Sequence, residues 1–169
     1  MTELGTIVTA NVGALPDEIR MQDLVSIVGA KKFSDFDMPE MSARTLIEQN
    51  PAVLFLYLAR WCPDCVPEVA DIDAVAREYD IQVVGREEYK NPAREQLIHE
   101  VPFPLVDGKS TMDDLRGTAH AGFRYAIGDD RKAGVPLGML VMQGQPNAAV
   151  VCMGNWGRDR LKERIEMYL

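Results

Sequence analysis

Cys62 and Cys65 stand three positions apart in the segment Ala59-Arg60-Trp61-Cys62-Pro63-Asp64-Cys65. A thiolate is the nucleophile in sulfur exchange, and a second thiol one helical turn away can attack the mixed disulfide that the first one forms. The spacing therefore suits thiol–disulfide exchange, with Cys62 attacking a substrate disulfide and Cys65 resolving the intermediate. The same spacing could supply half of a tetrahedral zinc site. The remaining ligands would have to come from Cys152, His99 and His120, and none of these is paired at ligand spacing. Zinc ranks well below redox chemistry, and no metal or cofactor is assigned. Two inert buried cysteines are a further reading, set against the position of the pair at a strand-to-helix turn.

Positioning a dithiol requires a rigid strand before it and a helix after it. Residues 52–59 (AVLFLYLA) form a continuous apolar run with β-branched and aromatic members, the signature of a strand buried on both faces. The pattern then changes to helical spacing over Pro63–Tyr79, with Val66, Val69, Ile72, Ala76 and Tyr79 on one stripe. Proline suits the first position of a helix, which would make Cys62 the N-cap, its sulfur beside unpaired N–H groups that favour a thiolate. Asp64 places a carboxylate near Cys62 and should limit that effect, leaving a thiol pKa roughly near 7.

Elsewhere, residues 6–12 lean towards β structure and 15–29 towards an amphipathic helix closed by a glycine. Ser42 caps a short helix that ends before Pro51. A second buried strand is expected over 81–85, a helix over 91–100, a short strand over 103–106 and a helical stretch over 110–126. Strands 137–142 and 148–153 flank a turn at 143–147, and a helix over 158–169 carries Leu161, Ile165 and Tyr168 on one side. Together these imply an α/β fold with a central mixed sheet flanked by helices.

The chain has 169 residues, 47% hydrophobic and 26% charged, which fits one self-supporting domain. Its net charge of -8 opposes contact with phosphate backbones, so no nucleic-acid partner is expected. No run approaches a transmembrane helix, so no membrane association is expected. The N-terminal residues lack a basic region followed by an apolar stretch, and a cytoplasmic location is the expectation. Three cysteines are too few for a disulfide scaffold.

Trp61-Cys62-Pro63-Asp64-Cys65 after an apolar strand resembles the active site of the thioredoxin superfamily. Gly134-Val135-Pro136 with the strand that follows resembles that superfamily's cis-proline loop, and Gly154 with the last helix resembles its C-terminal end. Phe33-Ser34-Asp35-Phe36 and the insert over 91–133 are most similar to the TlpA/ResA-like branch, which carries an added strand and helix before the cis-proline. The resemblance covers residues 33–169, with 1–32 as an N-terminal extension packed on the domain.

The resemblance implies a thioredoxin-like fold and protein disulfides as substrates, with a reducing partner to reset the dithiol. It makes Cys62 the attacking and Cys65 the resolving thiol. Val135 and a cis Pro136 would face them and dock an extended substrate; a trans proline at a strand start is the plainer alternative. Trp61 would flank the exposed sulfur, or be a surface aromatic only. Glu68 falls on the glutamate of a CxxCxxE pattern proposed to handle protons, or is a solvated helix residue. The buried strand aspartate of thioredoxin itself is replaced by Leu56, and Pro67 stands two residues after Cys65, earlier than the usual helix proline. Cys152 reads as a buried small hydrophobe. A peroxidase would need a Thr-xx-Cys motif, which is absent. The alternative from a different class is a thioredoxin-like binding or chaperone module with little or no redox turnover.

Overall fold

A computed structural model of the chain describes residues 4, 6–11, 36–87, 91–107, 135–142 and 148–168. The strands are β1 (Thr6–Asn11), β2 (Ala52–Leu58), β3 (Gln82–Glu87), β4 (Leu105–Asp107), β5 (Leu137–Met142) and β6 (Ala148–Met153); the helices are α1 (Ala43–Gln49), α2 (Cys65–Tyr79) and α3 (Arg158–Tyr168). They build one six-stranded mixed sheet in the order β1-β6-β5-β2-β3-β4. β2, β3 and β4 run parallel, whereas β5 is antiparallel to β2 and β6 to β5. β1, which lies in the stretch read as an N-terminal extension, adds an edge strand antiparallel to β6.

Every residue of β2 is buried, as its unbroken apolar run predicts for a central strand. Its two faces feed two cores, because side chains alternate along a strand. Val53, Phe55 and Tyr57 meet Phe36, Ala43, Leu46, Val84 and Met139 on the α1 side. Ala52, Leu54, Leu56 and Leu58 meet Val69, Ile72, Leu161 and Ile165 on the side of α2 and α3, and this second core also takes in Cys62 and Cys65. The dithiol therefore sits at the rim of a packed apolar layer.

The capping expectation for α1 holds: the Ser42 hydroxyl accepts the Thr45 N–H at 3.1 Å, and the helix stops at Asn50. α2 departs from expectation at its start. It begins at Cys65, not Pro63, and its cap is Asp64, whose side chain makes no capping bond, so Cys62 is not the N-cap. The preceding turn is tightened by Cys65 N–H to Cys62 O at 3.1 Å and Val66 N–H to Pro63 O at 3.3 Å. Pro67 explains this, because it has no N–H to give the Pro63 carbonyl, which takes the Val66 N–H in a 3₁₀-type bond. The buried stripe of α2 is also displaced. Val66 is exposed, and the inward face is Cys65, Glu68, Val69, Ile72 and Val75.

Residues 91–100 form turns and not the expected helix. The Asn91 side chain accepts the Ala93 N–H at 3.1 Å, and its carbonyl accepts the Arg94 N–H at 3.1 Å. The Leu97 and Ile98 N–H groups then go to the Arg60 carbonyl, at 2.8 and 3.0 Å, instead of into a helical ladder. The short strand starts at Leu105, not Phe103, because Pro104 can accept from Gly85 but cannot donate. β5, β6 and α3 lie where the sequence places them, and Leu161 and Ile165 are buried. The expected helices over 15–29 and 110–126 and the turn over 143–147 lie outside the described residues. Among the described residues, no helix is long and apolar enough to cross a membrane.

Candidate active site

β2 ends at Leu58 and delivers the chain into a turn closed by the Cys62 N–H on the Ala59 carbonyl, 3.1 Å. This leaves Cys62 at the edge of the apolar layer, buried and not exposed as the sequence suggests, while Cys65 enters it. Cys62 is 7% exposed and Cys65 0%, and both are free thiols. The Cys65 thiol donates to the Cys62 sulfur, and this bond is the largest influence lowering the Cys62 pKa to about 6. Burial opposes it, the N–H groups of Cys65 and Asp64 add to it, and the Asp64 carboxylate opposes it weakly. Those two N–H groups reach the sulfur although Cys62 does not cap the α-helix. Cys65 is pushed strongly upward, first by the same bond and then by burial. The pair is thus one acidic sulfur held by one reluctant thiol.

The Val135–Pro136 peptide is cis. The Val135 carbonyl lies 3.7 Å from Cys62 Sγ, so the loop before β5 faces the reactive sulfur across the sheet end. Pro136 is buried, and its carbonyl accepts the Gly154 N–H at 2.9 Å. Trp61 is half-buried beside the motif, with the Arg94 guanidinium 5.1 Å from its ring centroid. Pro63 and Asp64 are exposed, as the middle of the motif must be if a substrate is to reach Cys62.

Glu68 is fully buried, so the reading of it as a solvated helix residue does not hold. Both carboxylate oxygens accept the backbone N–H of Trp156, at 3.1 and 3.0 Å. Its pKa rises to about 8: burial is the main cause, the Trp156 N–H lowers it, Asp71 raises it and Arg160 lowers it. Its charge is felt at Cys65, whose pKa it raises further. Leu56, standing in place of the strand aspartate, is fully buried in the core that holds the dithiol. The titratable carboxyl beside Cys65 is therefore supplied by helix α2 and not by the strand.

Cys152 is buried, its Sγ 3.5 Å from the Gly154 carbonyl, and burial is the chief cause of a pKa raised to about 12. It behaves as the small hydrophobe expected of it. His99 is exposed, and His120 lies outside the described residues. Three residues of the site have no counterpart in the sequence reading: Asn155, Trp156 and Arg160. Asn155 Nδ2 donates to the Asp64 carbonyl at 2.8 Å, tying the start of α2 to the segment before α3. The only signal for them in the sequence is a tryptophan between two glycines, Gly154 and Gly157.

Comparison with solved structures fits this architecture. A thiol:disulfide interchange protein of the thioredoxin family from Chlorobium tepidum TLS superposes with a TM-score of 0.53 at 17% identity, covering 99% of this chain and 97% of that one. A thioredoxin-related protein from Neisseria meningitidis serogroup B gives a TM-score of 0.49 at 13% identity, covering 76% and 90%. No protein-family model matches the sequence, and no curated protein matches it. The first of these superpositions spans both chains almost end to end and shows that this one has the thioredoxin fold.

Proposed function

We propose that this protein is a thiol–disulfide oxidoreductase that reduces protein disulfides through Cys62 and Cys65. The observation that carries the reading is the Cys62 sulfur itself. It takes a hydrogen bond from Cys65, has a pKa lowered to about 6 and lies 3.7 Å from the Val135 carbonyl. The Cys65 donor and the N–H groups of Cys65 and Asp64 favour its thiolate, the form that attacks.

In the first step the Cys62 thiolate attacks one sulfur of a substrate disulfide. The substrate S–S bond breaks, and the departing sulfur leaves as a thiolate that takes a proton from solvent. Cys62 then carries a mixed disulfide and no charge. The interaction that most raised the Cys65 pKa is gone, so Cys65 ionises more readily than in the free dithiol. Its proton passes towards Glu68 in the minority of molecules whose Glu68 carboxyl, with its pKa raised to about 8, is ionised at neutral pH, and the Cys65 thiolate attacks Cys62 Sγ. The second substrate thiol leaves, and the Cys62–Cys65 disulfide holds the two electrons' worth of oxidation. A reducing partner resets it. In this scheme Val135 and Pro136 present backbone to an extended substrate, and Trp61 flanks the approach.

The acidity of Cys62 favours the reducing direction. A pKa of about 6 is far from the very acidic thiols of strong disulfide-forming oxidants, and Asp64 works against further lowering. A reductant of TlpA/ResA-like type, acting in a reducing compartment such as the cytoplasm without nucleic-acid or membrane partners, accords with this and with the acidic surface. An insulin-type disulfide-reduction assay, run beside a titration of the reduced thiols, tests the proposal. Turnover that disappears in Cys62→Ser supports it. Two titratable thiols with no turnover would replace it with the binding-module alternative.

A further inference from the structure

A buried carboxyl group that must gain and lose a proton needs its surroundings held still. For Glu68 the holder is the segment Asn155–Trp156, which grips α2 at two points: Asn155 Nδ2 on the Asp64 carbonyl at 2.8 Å, and the Trp156 N–H on both Glu68 oxygens. The segment is in turn gripped from α3. Arg160 Nε donates to the Trp156 carbonyl at 2.7 Å, and Arg160 Nη2 to the Asn155 carbonyl at 3.2 Å. The same Nη2 lies 3.7 Å from Cys152 Sγ, which seats the guanidinium against β6. One cation thus holds the Asn155–Trp156 peptide, whose N–H contacts Glu68, together with the Trp156 carbonyl that follows it.

We propose that Arg160 is a positioning residue for the dithiol chemistry: by gripping the Asn155 and Trp156 carbonyls it keeps the Trp156 N–H on Glu68 and supplies the positive charge against which Glu68 ionises. The proposal rests on the exchange mechanism above, in which Glu68 takes the Cys65 proton as the Cys65 sulfur attacks Cys62 and the electron pair of the mixed disulfide leaves on the substrate sulfur. The charged and titratable groups facing Glu68 come from three elements. Asp71 on α2 opposes its ionisation, and Arg160 on α3 favours it. The thiols of Cys65 on α2 and Cys152 on β6 both feel the Glu68 charge. Arg160 is the cation of this group among the described residues, and it is tied to the peptide that contacts the carboxyl.

The test follows the Glu68 carboxyl directly by carbon NMR titration of the reduced protein, in wild type, Arg160→Gln, Arg160→Met and Arg160→Lys. In parallel, stopped-flow absorbance with a chromogenic aryl disulfide reads two phases, attack by Cys62 and resolution by Cys65. Arg160→Gln keeps a donor for the Trp156 carbonyl and loses the charge, so it remains informative if Arg160→Met fails to fold. Wild type should titrate near 8. Both neutral variants should move the midpoint up by about one unit, and slow the resolving phase at pH 7 by about tenfold, while Arg160→Lys returns both towards wild type. A lowered melting temperature with an unmoved Glu68 midpoint in Arg160→Gln would overturn the proposal and leave Arg160 a structural residue. A shifted midpoint with no resolving phase even in wild type would show that Arg160 holds Glu68 but would overturn the exchange function, and with it any role of Arg160 in dithiol chemistry.

Discussion

The backbone N–H of Trp156 donates to both carboxylate oxygens of Glu68, across a separation of 88 positions in the chain. A single N–H cannot replace the water that a carboxylate loses on burial, so the folded protein prefers Glu68 protonated up to a pKa of about 8.

That preference makes stability depend on pH. The unfolded chain releases the Glu68 proton near 4.5, whereas the folded chain holds it to about 8. The favourable contribution is therefore fully present below 4.5, and it is lost progressively as pH rises from there to 8, by a few kcal/mol in all. Glu68→Gln keeps an oxygen for the Trp156 N–H and cannot ionise. Urea unfolding from pH 4 to pH 9 should show the variant gaining on wild type across this window, with the difference level above it. A difference independent of pH would mean that Glu68 is ionised normally in the folded state.

Cys62 should show its acidity in its alkylation rate. With iodoacetamide the rate should rise with a midpoint near 6, set first by the thiol of Cys65. Cys65→Ala removes that donor and should raise the midpoint, whereas Cys65→Ser retains a hydroxyl donor and should raise it less. Asp64→Asn should lower it slightly, since the Asp64 charge is the smallest of the opposing influences. An unchanged midpoint in Cys65→Ala would point to the backbone N–H groups as the dominant cause.

Gly138 lies under the indole of Trp156. A Cβ at this position would sit 2.4 Å from Trp156 Nε1, with no flexible side-chain end to yield. Gly138→Ala should destabilise the protein by about 1–3 kcal/mol, the usual penalty for overpacking a filled core. Displacing the indole should also loosen the Trp156 N–H from Glu68. The Glu68 midpoint then moves up together with the loss in melting temperature, and calorimetry with carboxyl NMR reads both.

How far the sequence revealed this arrangement depended on whether local chemistry decided the outcome. β2, β5, β6 and α3 were legible because continuous apolar runs and helical spacing of Leu161 and Ile165 leave little choice. Ser42 announced α1 through its own hydroxyl. The start of α2 differs from the sequence expectation because Pro63 suits a first helical position, while Pro67, four residues later, withholds the N–H that an α-helical bond to Pro63 requires. The stretch 91–100 has helical spacing, but Asn91 closes a turn on itself and the Arg60 carbonyl draws off Leu97 and Ile98. Both are outcomes of competition for backbone donors that periodicity does not register. Cys62 and Cys65 stood out by spacing, and Glu68 only through the resemblance to a CxxCxxE pattern. Asn155, Trp156 and Arg160 did not, because what they do is defined by contacts with α2 that close only in the folded sheet.

The central claim is that Cys62 is the sulfur that attacks and Cys65 the one that resolves. It is tested most directly by exposing the Cys65→Ser protein to a disulfide-bonded peptide and mapping the product by mass spectrometry. The account predicts one peptide held in a stable mixed disulfide on Cys62, formed at pH values above the alkylation midpoint of the Cys65→Ser protein. An adduct on Cys152, or none on Cys62 while the Cys62→Ser protein still reduces substrate, would contradict it.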